Sequence, residues 1–199
     1  MLKKNFSPPV NYCRAIVIVH GKSERLMVEY IKRKLRLNIA IISNCKGKSS
    51  IQVSGLLKFI SSSTQLKSLN AVKKEFMPQV EKGKLVGCKI FTIMDLDDCS
   101  ITEVQRYISG EMFNRSWYKD YIVPIWFLPN FDEAMKTTKL VDKVPGDKEK
   151  GKVYSNLFQK EIAGLKEFPV FKEKMKKCKE TNIEEFLEYC VNVVEKNKK

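Results

Sequence analysis

The segment Ala15-Ile16-Val17-Ile18-Val19 holds no polar side chain. Side chains alternate between the two faces of a strand, so an unbroken apolar run must be covered on both sides. This excludes a sheet with one wet face and calls for helices above and below a parallel sheet. The rest of the chain meets the demand. Asn38–Ser43, Lys89–Met94 and Tyr121–Leu128 are further strand-like runs. Between them, helical spacing marks Glu24–Leu35 (apolar at Leu26, Met27, Tyr30, Ile31 and Leu35), Ile51–Ile60 and Ile101–Ile108. Pro124 points to an edge position or a strand start for the fourth run. Residues 65–82 read as a helix interrupted near Pro78, Lys143–Lys152 as a mobile charged loop, and residues 153–178 and 182–195 as closing helices. Ser23 is the expected cap of the first helix, and Ser100 or Thr102 that of the helix at 101–108. The expected class is α/β: a Rossmann-like, mostly parallel sheet flanked by helices, with a C-terminal helical extension. Residues 1–142 would form the α/β domain, with 143–199 packing on it as a charged loop and helices.

In parallel sheets, ligands sit beyond the carboxyl ends of the strands. Four polar clusters fall there: His20-Gly21-Lys22-Ser23-Glu24, Lys46-Gly47-Lys48, Asp95/Asp97/Asp98 and Asn130/Asp132/Glu133. The third ends an apolar strand in Asp-x-Asp, which strand alternation would place on one side. Two carboxylates held close repel each other until something neutralises them, and Mg²⁺, a hard cation that takes oxygen ligands, suits the task. The chain carries a net charge of +14, and residues 1–50 alone hold eleven Lys/Arg against two Asp/Glu. An acidic clamp on a basic chain points to chemistry on phosphates, with nucleic acid as the partner. Charge alone says less, because many lysine-rich proteins bind nothing specific.

Other classes are excluded or weakened. No apolar run reaches the roughly 18 residues needed to cross a bilayer, so no membrane partner is expected. Met1-Leu2-Lys3-Lys4 has no apolar stretch after it and does not read as a secretory leader. Six scattered cysteines without a Cys-x-x-Cys pair read as reduced thiols, which suits a cytoplasmic setting. A single histidine excludes His-rich zinc centres. Gly21-Lys22-Ser23 and Gly47-Lys48-Ser49 resemble the end of a phosphate-binding P-loop, but Ile16 and Ile42 stand where that loop needs its first glycine. An ATPase or GTPase loop is therefore rejected.

The candidate site residues each have a plainer reading. Asp95 and Asp97 are candidate metal ligands, whereas Asp98 is the expected turn or cap residue. Glu24 is a candidate ligand or acid/base group, although a first-turn glutamate also complements the helix dipole. His20 could shuttle protons or serve only as a turn residue. Lys22, Lys46 and Lys48 are candidate phosphate binders or solvated turn lysines. Packing accounts for most of the aromatics between Trp117 and Phe127.

Val17-Ile18-Val19-His20-Gly21-Lys22-Ser23-Glu24 and Phe91-Thr92-Ile93-Met94-Asp95-Leu96-Asp97 together resemble the two acidic motifs of the Toprim fold. Those motifs are a strand with a Glu-Gly-x-x-Asp/Glu turn and a later strand ending in Asp-x-Asp. The likeness spans roughly residues 14–130. Leu128-Pro129-Asn130-Phe131-Asp132-Glu133 is loosely similar to a segment of small stand-alone Toprim-like proteins of the RloB-like group, which are encoded among bacterial restriction and phage-defence genes. The resemblance implies Mg²⁺- or Mn²⁺-dependent cleavage or joining of DNA or RNA phosphodiesters. It implies metal on Asp95 and Asp97, and Glu24 in the second acidic place of the first motif. His20 stands where the first-motif glutamate belongs. That departure keeps open an alternative: a module that binds nucleic acid, a partner protein or a second copy of itself without cutting.

Overall fold

The computed structural model describes residues 11–159 and 168–196. In chain order the elements are β1 (Ala15–Val19), α1 (Lys22–Leu35), β2 (Ile39–Ile42), α2 (Val53–Ser62), α3 (Leu69–Phe76), β3 (Val80–Glu81), β4 (Lys84–Leu85) and β5 (Lys89–Asp95). There follow α4 (Ile101–Ile108), β6 (Ile122–Phe127), α5 (Phe131–Thr137), α6 (Asp147–Gln159), α7 (Phe168–Lys176) and α8 (Ile183–Lys196). Short 3₁₀ turns occupy Asn44–Gly47 and Glu111–Phe113.

The fold is α/β and Rossmann-like: β2, β1, β5 and β6 lie in that order in one parallel sheet. All five residues of β1 are buried, as its composition requires. Ala15, Val17, Val19, Phe91 and Ile93 face a layer built from α1, α5, α6, α7 and α8. Ile16, Ile18, Ile90 and Met94 face the opposite layer, with α2, α3 and α4. Each large aliphatic side chain so buried contributes roughly 1.5–3 kcal/mol. Thr92, in the middle of β5, is wholly buried, and its hydroxyl is satisfied 2.8 Å from the Tyr107 hydroxyl of α4. α8 completes the first layer: Phe186 meets Phe91 edge-on at 4.8 Å, and the Tyr189 hydroxyl donates to the Arg14 carbonyl at 2.6 Å. Pro124 does lie on an edge strand, β6.

Several expectations are corrected. Residues 65–82 are not one interrupted helix: α3 ends at Phe76, and β3 and β4 form a small antiparallel hairpin around Lys82 and Gly83, both at positive φ. The expected charged loop at 143–152 is helical from Asp147 onward, and of the expected 153–178 helix residues 160–167 lie outside the described residues. Ser23 is not the cap of α1. The helix starts at Lys22 after Gly21, whose N–H is held by the Glu24 side chain. Asp98 is a turn residue, as expected, and not a cap: Ser100 caps α4, and Asp98 accepts from Gln52 Nε2 at 2.8 Å. The aromatics between 117 and 127 divide between faces, Phe127 in the α1 layer and Tyr118 in the α4 layer. Among the described residues no helix is long and apolar enough to cross a membrane.

Candidate active site at the strand ends

The sheet order reverses at β1, with β2 on one side and β5 and β6 on the other. The crevice between the carboxyl ends of β1 and β5 is where such sheets bind ligands. β1 delivers His20 and Gly21 to it, α1 delivers Glu24 from its first turn, and β5 delivers Asp95 as its last residue. Asp95 continues the alternation of Phe91 and Ile93, so it faces the α1 layer and therefore Glu24.

Glu24 is 3% exposed, and its Oε2 accepts the Gly21 N–H at 2.9 Å. Burial raises its pKa to about 7, and the charge of Asp132 adds to the rise. Asp95 Oδ1 accepts the Phe131 N–H at 2.9 Å, which locks the start of α5 onto the end of β5. Burial, and then repulsion by Glu24, lift Asp95 to about 9. Asp132, in the first turn of α5, is the third acid. One of its oxygens accepts the Tyr154 hydroxyl at 2.6 Å and the other the Lys150 ammonium at 2.8 Å. Lys150 also reaches Asp147 at 3.1 Å, and the Asp132 hydrogen bond leads the causes that raise its pKa. Three carboxyl groups thus share one crevice with one resident ammonium. At neutral pH, protons must supply part of the neutralisation.

These groups line a cavity of about 360 Å³. Lys22, Lys148, Lys150 and Lys152 stand around the same space, which gives the acidic floor a basic rim. Gly151 lies so close to the Lys22 side chain that an added Cβ would fall 2.6 Å from its ammonium. Gly47, at φ +82°, brings the 44–47 turn against the backbone of Lys22, where a Cβ would stand 3.0 Å from the Lys22 Cα.

His20 also lines the cavity. Its Nδ1 lies 3.1 Å from the Ile51 carbonyl, which can only accept, so the Nδ1 proton is spent there and Nε2 is left with its lone pair. Burial lowers its pKa, which keeps the ring neutral at physiological pH. Asp97 is separated from Asp95. The strand ends at Asp95, alternation ends with it, and Asp97 stands exposed in the next turn, accepting from Asn130 Nδ2 at 3.0 Å. It remains near enough for its charge to add to the rise at Asp95. Lys46 and Lys48 are exposed on the 44–48 turn and are not among the residues lining the cavity, whereas Lys22 is.

In the sequence Asp132 stands only as a member of a polar cluster, and Lys150 and Tyr154 carry no mark of a site role. The position of Asp132 two residues after the N-cap Asn130 was the available signal. Nothing local marks Lys150, because its place depends on α6 folding back over the site. Hard carboxylate oxygens of raised proton affinity are suitable donors for Mg²⁺ or Mn²⁺. Glu24 and Asp95 are the groups that fit, since both oxygens of Asp132 are already engaged. Among the described residues no three His, Cys, Asp or Glu side chains stand together as a ready ligand set. Searches of family models, curated proteins and solved structures gave no match to the chain.

Proposed function

We propose that the chain is a Toprim-like, Mg²⁺- or Mn²⁺-dependent nuclease acting on phosphodiesters of DNA or RNA, in a cytoplasmic and bacterial setting such as phage defence. The observation that carries the reading is the pair Glu24 and Asp95. They line one cavity at the sheet's switch point, Glu24 buried and Asp95 half-buried, with proton affinities raised first by burial and then by a neighbouring carboxylate, Asp132 for Glu24 and Glu24 for Asp95. A divalent cation would take the place of the protons there and supply Lewis-acid chemistry to a phosphate. Glu24 and Asp95 would hold it. Asp97, 3.0 Å from Asn130 at the rim, would sit beside it. Lys22, Lys148 and Lys152 would meet the flanking phosphates, and Lys150 would hold Asp132 in place. His20 has a free Nε2 for one proton at the cavity wall.

The test is cleavage of end-labelled single- and double-stranded DNA and of RNA in Mg²⁺ or Mn²⁺, with an EDTA arm. Asp95→Asn and Glu24→Gln should each lower cleavage by about 100-fold or more. Cutting that persists in EDTA and in the Asp95→Asn/Asp97→Asn protein would overturn the reading.

A second reading has its own support. His20 replaces the expected glutamate, and its ring is held neutral with one nitrogen committed to Ile51. A module of this kind would bind nucleic acid or a partner protein without cutting. It would bind at low salt, lose affinity steeply as salt rises, and gain cleavage in His20→Glu.

A further inference from the structure

A second concavity lies away from the carboxylates. It is a cavity of about 670 Å³ between α2, α4 and the segment 111–118. That size is ample for a small ligand, for which pockets of roughly 300–1,000 Å³ are usual. Three cations from three separate elements line it: Lys58 from α2, Arg106 from α4 and Arg115 from the turn after the second 3₁₀ segment. All three are exposed. The Arg106 guanidinium has only a loose partner, Glu111 at 3.9 Å, while the side-chain cations of Lys58 and Arg115 have no ion pair or hydrogen bond among the described residues. Glu111 is the only carboxylate in the lining.

The simplest alternative is a basic surface on a basic chain. For Arg106 a further local reason exists, since a cation in the last turn of a helix complements its dipole. Neither account explains why Lys58, outside the last turn of α2, and Arg115, outside any helix, turn toward the same hollow. Three cations against one loosely placed carboxylate leave the hollow with a net positive charge, which an anion would complement. Guanidinium groups bind phosphate oxygens in pairs, and the neighbouring Asn114 side-chain amide adds a neutral donor. Leu57 and Met112, both half-buried, supply an apolar wall beside these donors.

We propose that this cavity is a nucleotide-phosphate site: Arg106, Arg115 and Lys58 hold a phosphate, and Leu57 and Met112 pack against the attached nucleoside. The ligand is a nucleotide unit, either free or part of a strand. The proposal does not rest on the carboxylate site, and its test keeps the two apart.

Binding is measured in EDTA on the full chain, so the outcome does not depend on cleavage. The probes are inorganic phosphate, a nucleoside 5′-monophosphate and a short single-stranded oligonucleotide. Arg106→Gln/Arg115→Gln should weaken binding by at least about 10-fold, with partial rescue in Arg106→Lys/Arg115→Lys. Lys74→Gln, a change of one exposed lysine on α3, should alter it by less than about 2-fold. Loss confined to phosphate and the mononucleotide identifies a free-nucleotide site. Loss that includes the oligonucleotide, with a salt slope reduced by about one per lost contact, identifies a strand site. Unchanged binding of all three probes in the double variant overturns the proposal, as does an equal loss in Lys74→Gln.

Discussion

The two cavities hold opposite charge in opposite ways. The acidic one gathers Glu24, Asp95 and Asp132 out of water and fixes each by hydrogen bonds to Gly21, Phe131, Tyr154 and Lys150. The basic one leaves Lys58, Arg106 and Arg115 in solvent with almost nothing to hold them. Desolvation makes like charges expensive, whereas water screens them nearly to nothing. The acidic cavity therefore shapes the stability of the whole fold, and the basic cavity should affect only what binds to it.

The largest effect that could break this contrast is the dependence of stability on pH. Folding raises Asp95 from 3.8 to about 9 and Glu24 from 4.5 to about 7. Between those values the folded state holds more protons than the unfolded chain, so stability falls as pH rises. His20, whose folded pKa lies below 6.5, and Cys13, lowered from 9.0 to about 7 by its hydrogen bond with Cys88, run the other way and offset part of the loss. Denaturant melts between pH 6.5 and 9 should therefore show a net loss, at ~1.4 kcal/mol per pH step of one for each extra proton the folded state holds. A flat or rising profile would contradict the raised proton affinities of Glu24 and Asp95.

Next in size is the response of that profile to substitution and to metal. Asp95→Asn keeps an acceptor for the Phe131 N–H and removes the charge. It should stabilise the fold at pH 9 by about 1–3 kcal/mol and change little at pH 4. Millimolar Mg²⁺ should raise the wild-type melting temperature at pH 9 and leave Asp95→Asn unmoved. A third test is Lys150→Met, which leaves Asp132 facing two carboxyl groups without its ammonium. Partial exposure of Lys150 keeps the expected loss to about 1–2 kcal/mol. The smallest effect belongs to the basic cavity: Arg115→Gln should move stability by no more than about 0.5 kcal/mol at any pH. A larger change would mean that the arginine is part of the fold and not a waiting ligand group.

The sheet was legible because β1 can be satisfied in only one way, and the same logic carried over to β2, β5 and β6. What escaped depended on distance. The hairpin of β3 and β4 was hidden because the helical spacing before it runs on, with only Pro78 and Gly83 to signal the break. The start of α6 looked like a loop because Gly146, Gly151 and a run of charges favour one. What holds it helical is contact with the site, through Lys150 on Asp132 and Tyr154 beneath it. Asp95 was readable as the end of a buried strand. Its expected pairing with Asp97 failed because alternation along the chain lasts only as long as the strand. Asp132 became a site residue through a fold contact, and local sequence does not encode such contacts.

The docking of α8 on β5 also has a consequence in time. A chain made from its N-terminus completes β6 at Phe127, about 60 residues before Phe186 exists to cover Phe91. At about 5–20 residues per second, that interval lasts roughly 3–12 s. Throughout it the part of the nascent sheet around Phe91 that α8 will cover stays exposed, so the slow step that exposes this chain to mispairing is its own completion on the ribosome.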